Sequence, residues 1–220
     1  MKNIYSTFIF ILFAFVALAQ TNDPKAEAVL NKLSEKAKTY KTVEASFTFT
    51  QIDKKADEET IQNGSVKVKD EKYVLVLGDY QIYNDGKITW TYDSDLNEAT
   101  KDFTEDVRDP DSPTFSEMLT MWETGFTYQF DSENTLNGVT YQVINLYPTK
   151  GTDKPYHTAK ITVNKNKEEI VKIMLLGKDG IDYIYDLSSF KVNMPISDAS
   201  FTPNLKALGL DDADIIDNTL

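Results

Sequence analysis

Apolar residues recur along this chain with two periods, and the switch between them sets the expected order of elements. Ala26, Val29, Leu30, Leu33, Ala37 and Tyr40 fall on one helical stripe. Asp23 is placed to cap that helix and Pro24 fits its first position. Glu27 near the start and Lys36, Lys38 and Lys41 near the end suit the helix dipole. From Ala45 the period becomes two. Phe47 and Phe49 alternate with Ser46, Thr48 and Thr50, and Val66 and Val68 alternate with Lys67 and Lys69. Residues 73–77 are apolar throughout, which predicts a strand covered on both faces. Asp85-Gly86 marks a hairpin, after which Ile88, Trp90 and Tyr92 share one side. Residues 54–60 read as a charged turn.

A second helix is expected to interrupt the strands. Ser112 suits its cap and Pro113 its first turn, while Phe115, Met118, Leu119 and Trp122 form a stripe that ends at Gly125. Further strands are expected over 98–103, 126–130, 140–147, 159–163, 169–176, 181–190 and 200–202, separated by turn signals such as Asn137-Gly138 and Asp179-Gly180. The pattern is mainly β (α+β): about ten or eleven strands in one antiparallel meander with two one-striped helices. Such a meander closes into a barrel or curls with its mouth covered. Two greasy helices on the concave side enclose either a filled core, the usual state of protein interiors, or room for a ligand.

The first residues stand apart. Lys2 precedes an unbroken apolar run, Phe8 to Leu18, and Ala17-Leu18-Ala19 supplies small residues before Gln20. This is the pattern of a cleavable secretory signal, which assigns residues 1–19 to a leader and 20–220 to a single domain. The chain has no cysteine, so no disulfide forms and no lipid-accepting cysteine stands at the cleavage site.

A formal net charge of −12 argues against nucleic acid and against adsorption to an anionic membrane, and is chiefly a solubility feature. Catalytic signals are weak. The single histidine, His157, sits in the turn-like Lys154-Pro155-Tyr156-His157, and no nucleophile elbow, phosphate loop or zinc motif is present. Asp109, Asp111, Asp211, Asp212 and Asp214 read as solvated loop residues, and Asp93-Ser94-Asp95 lacks the rest of a calcium loop. The expected protein is not an enzyme and needs no cofactor and no metal.

Four segments together resemble LolA, the periplasmic carrier family for outer-membrane lipoproteins. They are Ala45-Ser46-Phe47-Thr48-Phe49-Thr50-Gln51 after the first helix, the strand from Gly64 towards Tyr73, Asn84-Asp85-Gly86-Lys87-Ile88-Thr89-Trp90-Thr91-Tyr92, and Phe201-Thr202-Pro203 after Ile196-Ser197-Asp198. The resemblance implies a strongly curled, incomplete antiparallel β-barrel with a lid of α-helices. Its cavity would take lipoprotein acyl chains from an inner-membrane ABC lipoprotein transporter and pass them to an outer-membrane acceptor, with the carrier periplasmic and monomeric. Three chains of fifteen carbons, at ~0.8 kcal/mol per buried CH₂, set an upper bound of ~36 kcal/mol on what water exposure would cost. Such cargo needs a shield, and adaptable aromatic and methionine side chains suit it. The cavity candidates are Phe47, Phe49, Val66, Val68, Tyr73, Leu75, Ile82, Trp90 and Tyr92, and the lid candidates are Phe115, Met118, Leu119 and Trp122. Loss of acyl-lipid binding is the outcome expected of Phe47→Glu or Trp90→Glu. The family's latch arginine, in an Arg-Pro pair, has no counterpart in Lys69-Asp70-Glu71-Lys72-Tyr73, so Lys72 replaces the latch or none exists. A lipid- or protein-binding sensor without cargo transfer is the second reading, and a hydrolase using paired carboxylates the third.

Overall fold

A computed structural model describes residues 22–108 and 119–220. Residues 1–21 and the segment 109–118, which carries Asp109, Asp111, Ser112, Phe115 and Met118, lie outside the described residues.

Helix α1 spans Pro24–Ala37 and starts as its sequence requires. The Asp23 carboxylate accepts the backbone N–H of Lys25 at 2.7 Å and of Ala26 at 3.4 Å. Its second oxygen accepts the N–H of Phe130 at 3.2 Å, so the cap also ties the helix to a strand. These bonds, led by that from Lys25, hold the Asp23 carboxyl below its ordinary value. Ala26, Leu30, Leu33 and Ser34 are the buried face of α1.

The strands are β1 (Thr42–Asp53), β2 (Glu58–Lys69), β3 (Lys72–Leu77), β4 (Tyr80–Asn84), β5 (Ile88–Asp93), β6 (Glu98–Phe103), β7 (Phe126–Leu136), β8 (Val139–Pro148), β9 (Tyr156–Asn164), β10 (Glu169–Gly177), β11 (Ile181–Val192) and β12 (Ile215–Asp217). They form one twelve-stranded sheet in the order β12-β6-β5-β4-β3-β2-β1-β11-β10-β9-β8-β7. Two antiparallel meanders, β1–β6 and β7–β11, are joined where β1 pairs with β11. The sheet is open, with β12 and β7 as its edges, and is a curled, incomplete barrel. Strand twist supplies the curl, and bulges at Ser46/Phe47 and Phe130/Ser132 add to it.

Directly paired residues share a face, so the register traces each side of the sheet. One line runs Phe130, Ile144, Ile161, Ile173, Tyr185, Phe49 and Gln62. Another on the same side runs Ala45, Val66, Leu75, Ile82, Thr91 and Thr100. Helix α1 lies on this face, which is therefore the inner one. Leu30 and Leu33 of α1 pack there with Ile144, Leu146, Ile161, Val163 and Trp122, all 5 % exposed or less.

Several expectations are corrected. Strand β12 at 215–217, for which no element was expected, follows the Asp211–Asp214 stretch and pairs in parallel with β6. The turn after β1 is shorter than 54–60: β2 begins at Glu58, since backbone pairing with β1 outweighs its polar side chains. The expected strand at 200–202 is a 3₁₀ turn over Asp198–Phe201, which buries Phe201 completely and brings Asp198 to Lys69 and Lys72. Pro203, lacking an N–H, is ill suited to extend a ladder there. The expected second helix does not reach Gly125 as an α-helix. Residues 119–120 form a turn and Met121–Glu123 a 3₁₀ turn, while Gly125 adopts the left-handed conformation (φ 78°) foreseen for it. An unforeseen one-turn helix, Thr104–Val107, follows β6.

Candidate functional site

The inner face is not uniform. Over β8 and β9 it is sealed by α1 and closely packed. Over β1–β3 and β11 it is floored with large apolar side chains that are only half-buried: Phe47, Phe49, Tyr73, Leu75, Tyr183 and Tyr185. A contiguous apolar surface of this kind is the part of a fold that invites a ligand. Its depth grades along β1. Val43 and Ala45 are 4 % and 3 % exposed, Phe47 and Phe49 are half-buried, and Gln51 then takes the same face.

Aromatic packing holds the floor together. Tyr185 sits 5.9 Å from Phe47 and 5.1 Å from Phe49, and Tyr183 stacks on Phe49 at 6.2 Å. Phe47 pairs with Gly64 across the strands, and its ring edge occupies the space that a Cβ at Gly64 would need. Glycine in a strand is normally a weakness, and here it gives the ring a seat. Tyr40, just after α1, meets Phe190 edge-on at 5.8 Å, and both pack on the cluster of Val43, Ala45, Val66 and Val68.

The register divides the sequence-predicted cavity residues. Phe47, Phe49, Val66, Val68, Tyr73, Leu75 and Ile82 lie on the inner face, with Val66 and Val68 fully buried as its base. Trp90 and Tyr92 do not join them. Trp90 pairs with Tyr83 and Lys101, and Tyr92 with Gln81 and Ala99, on the outer face. There Leu205, Leu208 and Leu210 of the C-terminal segment cover them. Ile82 and Trp90 are both apolar strand positions, and period two alone does not say how they align across the Asp85-Gly86 turn. Of the lid stripe, Leu119 packs against Val43, Ala45, Val66 and Val68. Trp122 belongs instead to the sealed core, where its indole N–H donates to Ser34 Oγ at 2.9 Å. The inner contributions of β10 and β11, Ile173, Leu175, Tyr183, Tyr185 and Leu187, were not singled out from sequence. Alternation over 181–190 carries that signal, but nothing in it reveals that β11 is the neighbour of β1.

Two hollows among the described residues are small. One of about 220 Å³ lies between Val29 and Leu33 of α1 and Val163 of β9. Another of about 320 Å³ lies where β10 and β11 part, beside Ile170, Ser189 and Lys191. Pockets for a single small ligand span about 300–1,000 Å³. Neither hollow has room for several hydrocarbon tails.

Burial pushes the hydroxyls of Tyr73 and Tyr185 above the ordinary tyrosine value; for Tyr73, nearby Arg108 opposes the shift. Lys72 lies 3.2 Å from Asp198, which Lys69 also meets at 2.7 Å. Hydrogen bonds from Lys69 and then Lys72 hold the Asp198 carboxyl below its ordinary value. Among the described residues no group of three metal-ligating side chains gathers, and the exposed His157 has Nδ1 2.9 Å from Thr158 Oγ1.

Comparison with known proteins adds to this geometry. A family model described as outer membrane lipoprotein carrier protein LolA matches residues 38–204. No curated protein sequence matches the chain. Among solved structures, an uncharacterized conserved protein from Thermus thermophilus superposes with a TM-score of 0.50 at 13 % identity, covering 88 % of this chain and 99 % of that one. Lipoprotein LppX from Mycobacterium tuberculosis gives 0.49 at 13 % identity, over 80 % of this chain and 99 % of its own. A LolA superfamily protein from Nitrosomonas europaea gives 0.39 at 13 % identity, over 81 % and 98 %.

Proposed function

The chain belongs to the LolA family, and from that premise we propose that it is a periplasmic carrier that holds lipoprotein acyl chains against the inner floor of its half-barrel. Residues 1–19 direct export and are removed. The cargo comes from an inner-membrane ABC lipoprotein transporter and goes to an outer-membrane acceptor. The carrier works as a monomer, without cofactor or covalent chemistry.

The observation that carries this reading is the half-buried apolar floor beside a fully packed core. A protein that needed only stability would seal both. Phe47, Phe49, Tyr73, Leu75, Ile82, Tyr183 and Tyr185 are the proposed tail-contacting residues, over a base of Val66 and Val68, with Leu119 as a lid contact. Release requires binding weaker than the tails' full transfer energy, and a floor left partly open to water satisfies that.

The test is recovery of the tagged protein from periplasm, followed by assay of bound acylated lipoprotein and of its transfer to outer-membrane vesicles. Bound cargo is expected, with loss of it in Phe49→Glu and transfer by the wild type. A folded wild type that takes up no acylated amphiphile defeats the proposal. The pairing of Lys72 with Asp198 favours a second reading in one respect, because it leaves the family's latch without a substitute at that position. Uptake of cargo without transfer would mark a sensor or storage module.

A further inference from the structure

The floor has a chemical direction. Along β1 the inner positions run Val43, Ala45, Phe47, Phe49, then Gln51. On β2 they run Val68, Val66, Gly64, then Gln62 and Thr60. One end of the floor is apolar and buried, and the other ends in carboxamides and a hydroxyl. Tyr183 and Tyr185 of β11 stand at that boundary, because Tyr185 pairs with Phe49 and Tyr183 with Gln51. An amphiphile on this surface has one favourable orientation, tails towards Val43 and headgroup towards Gln51 and Gln62. The linkage between tail and headgroup then falls beside the two tyrosines.

Tyr185 is the better placed of the two. Its ring is wedged between Phe47 and Phe49. Among the described residues its hydroxyl makes no hydrogen bond, although burial raises the cost of ionising it. Tyrosine joins an apolar ring to a polar tip that can bond water or a ligand. On a strand the side chain stands roughly perpendicular to the sheet, which carries this hydroxyl up to the height at which a bound chain would lie.

We propose that the Tyr185 hydroxyl donates a hydrogen bond to the ester carbonyl of a bound acyl chain, so that the floor selects ester-linked lipids over ether-linked ones of equal length. The inference rests on the carrier reading of the floor and names the group it recognises. A carbonyl accepts from a phenol, and an ether oxygen is a poorer acceptor. The remaining apolar contacts are the same for both lipids.

The probes are 1-palmitoyl and 1-hexadecyl lysophosphatidylcholine, compared by displacement of a fluorescent fatty acid from the full mature protein. Wild type is expected to prefer the ester by about threefold to tenfold, the value of one net hydrogen bond. Tyr185→Phe is expected to lose that preference, the ester lipid weakening while the ether lipid does not, and Tyr92→Phe on the outer face to keep it. Equal affinities in wild type, or a Tyr185→Phe variant that weakens both lipids alike, overturn the proposal while leaving the carrier reading intact. Failure of either lipid to bind wild type overturns both.

Discussion

The two halves of the inner face share one sheet and one alternating pattern, yet one is finished and the other is not. Over β8 and β9, α1 lays Ala26, Leu30 and Leu33 onto Ile144, Leu146 and Ile161, and these residues lose essentially all contact with solvent. Over β1–β3 and β11, Phe47, Phe49, Tyr73, Leu75 and Tyr185 stay half-buried. Side-chain size also differs. The sealed half locks its branched residues together with buried aromatics, Trp122 and the stacked Phe126 and Tyr156, whereas the aromatics of the open half, Phe47, Phe49 and Tyr185, keep part of their area exposed. Under the proposed carrier function this is a division of labour, in which one half stabilises the curled sheet and the other receives the cargo.

Substitution is the direct way to break that comparison. The largest effect is expected in the sealed half, where Ile161→Ala should cost about 2–5 kcal/mol by urea unfolding. Amphiphile binding per folded molecule should stay the same, and a matching loss of binding would merge the two halves. In the open half Phe47→Glu should reverse the pattern, with at least about tenfold weaker binding and a smaller stability change. Trp90→Glu is its control. Being on the outer face, it should leave affinity unchanged in whatever fraction folds.

A milder probe is Gly64→Ala. The added methyl displaces the Phe47 ring from its seat, and a loss of about twofold to fivefold in binding is expected. Titration calorimetry showing wild-type affinity would argue that the ring's position does not matter.

The smallest effect concerns the C-terminal cover, which lies beyond the matched family region. Asp217 takes bonds from Lys101 and Thr219, and its carboxyl is lowered to about 2. A carboxylate depressed in the fold stabilises it above its ordinary pKa, 3.8, and loses that contribution as pH falls towards 2. Asp217→Asn should therefore loosen β12 at neutral pH and differ little from wild type near pH 2. Hydrogen exchange at Ile215 and Ile216 reads this out.

Much of this arrangement was legible in the chain. The cap at Asp23 and Pro24, the stripe of α1 and most strands follow from periodicity and turn chemistry alone. The long-range pairing was not. Nothing in Phe47 or Tyr185 announces that β1 and β11 are neighbours, so half of the aromatic cluster stayed hidden. The side taken by Trp90 and Tyr92 depends on register across β3–β5 and on the covering leucines at 205–210, which are distant in sequence. Strand β12 was missed because its three residues follow an acidic turn and gain their order from β6.

The most direct test of the open floor is photocrosslinking with a lipid bearing a diazirine along its acyl chain, followed by peptide mapping. Labels are predicted on β1, β2, β3 and β11, concentrated at Phe47, Phe49, Leu75 and Tyr185. Labels confined to α1 and β7–β9, or to the outer surface around Trp90, would contradict it.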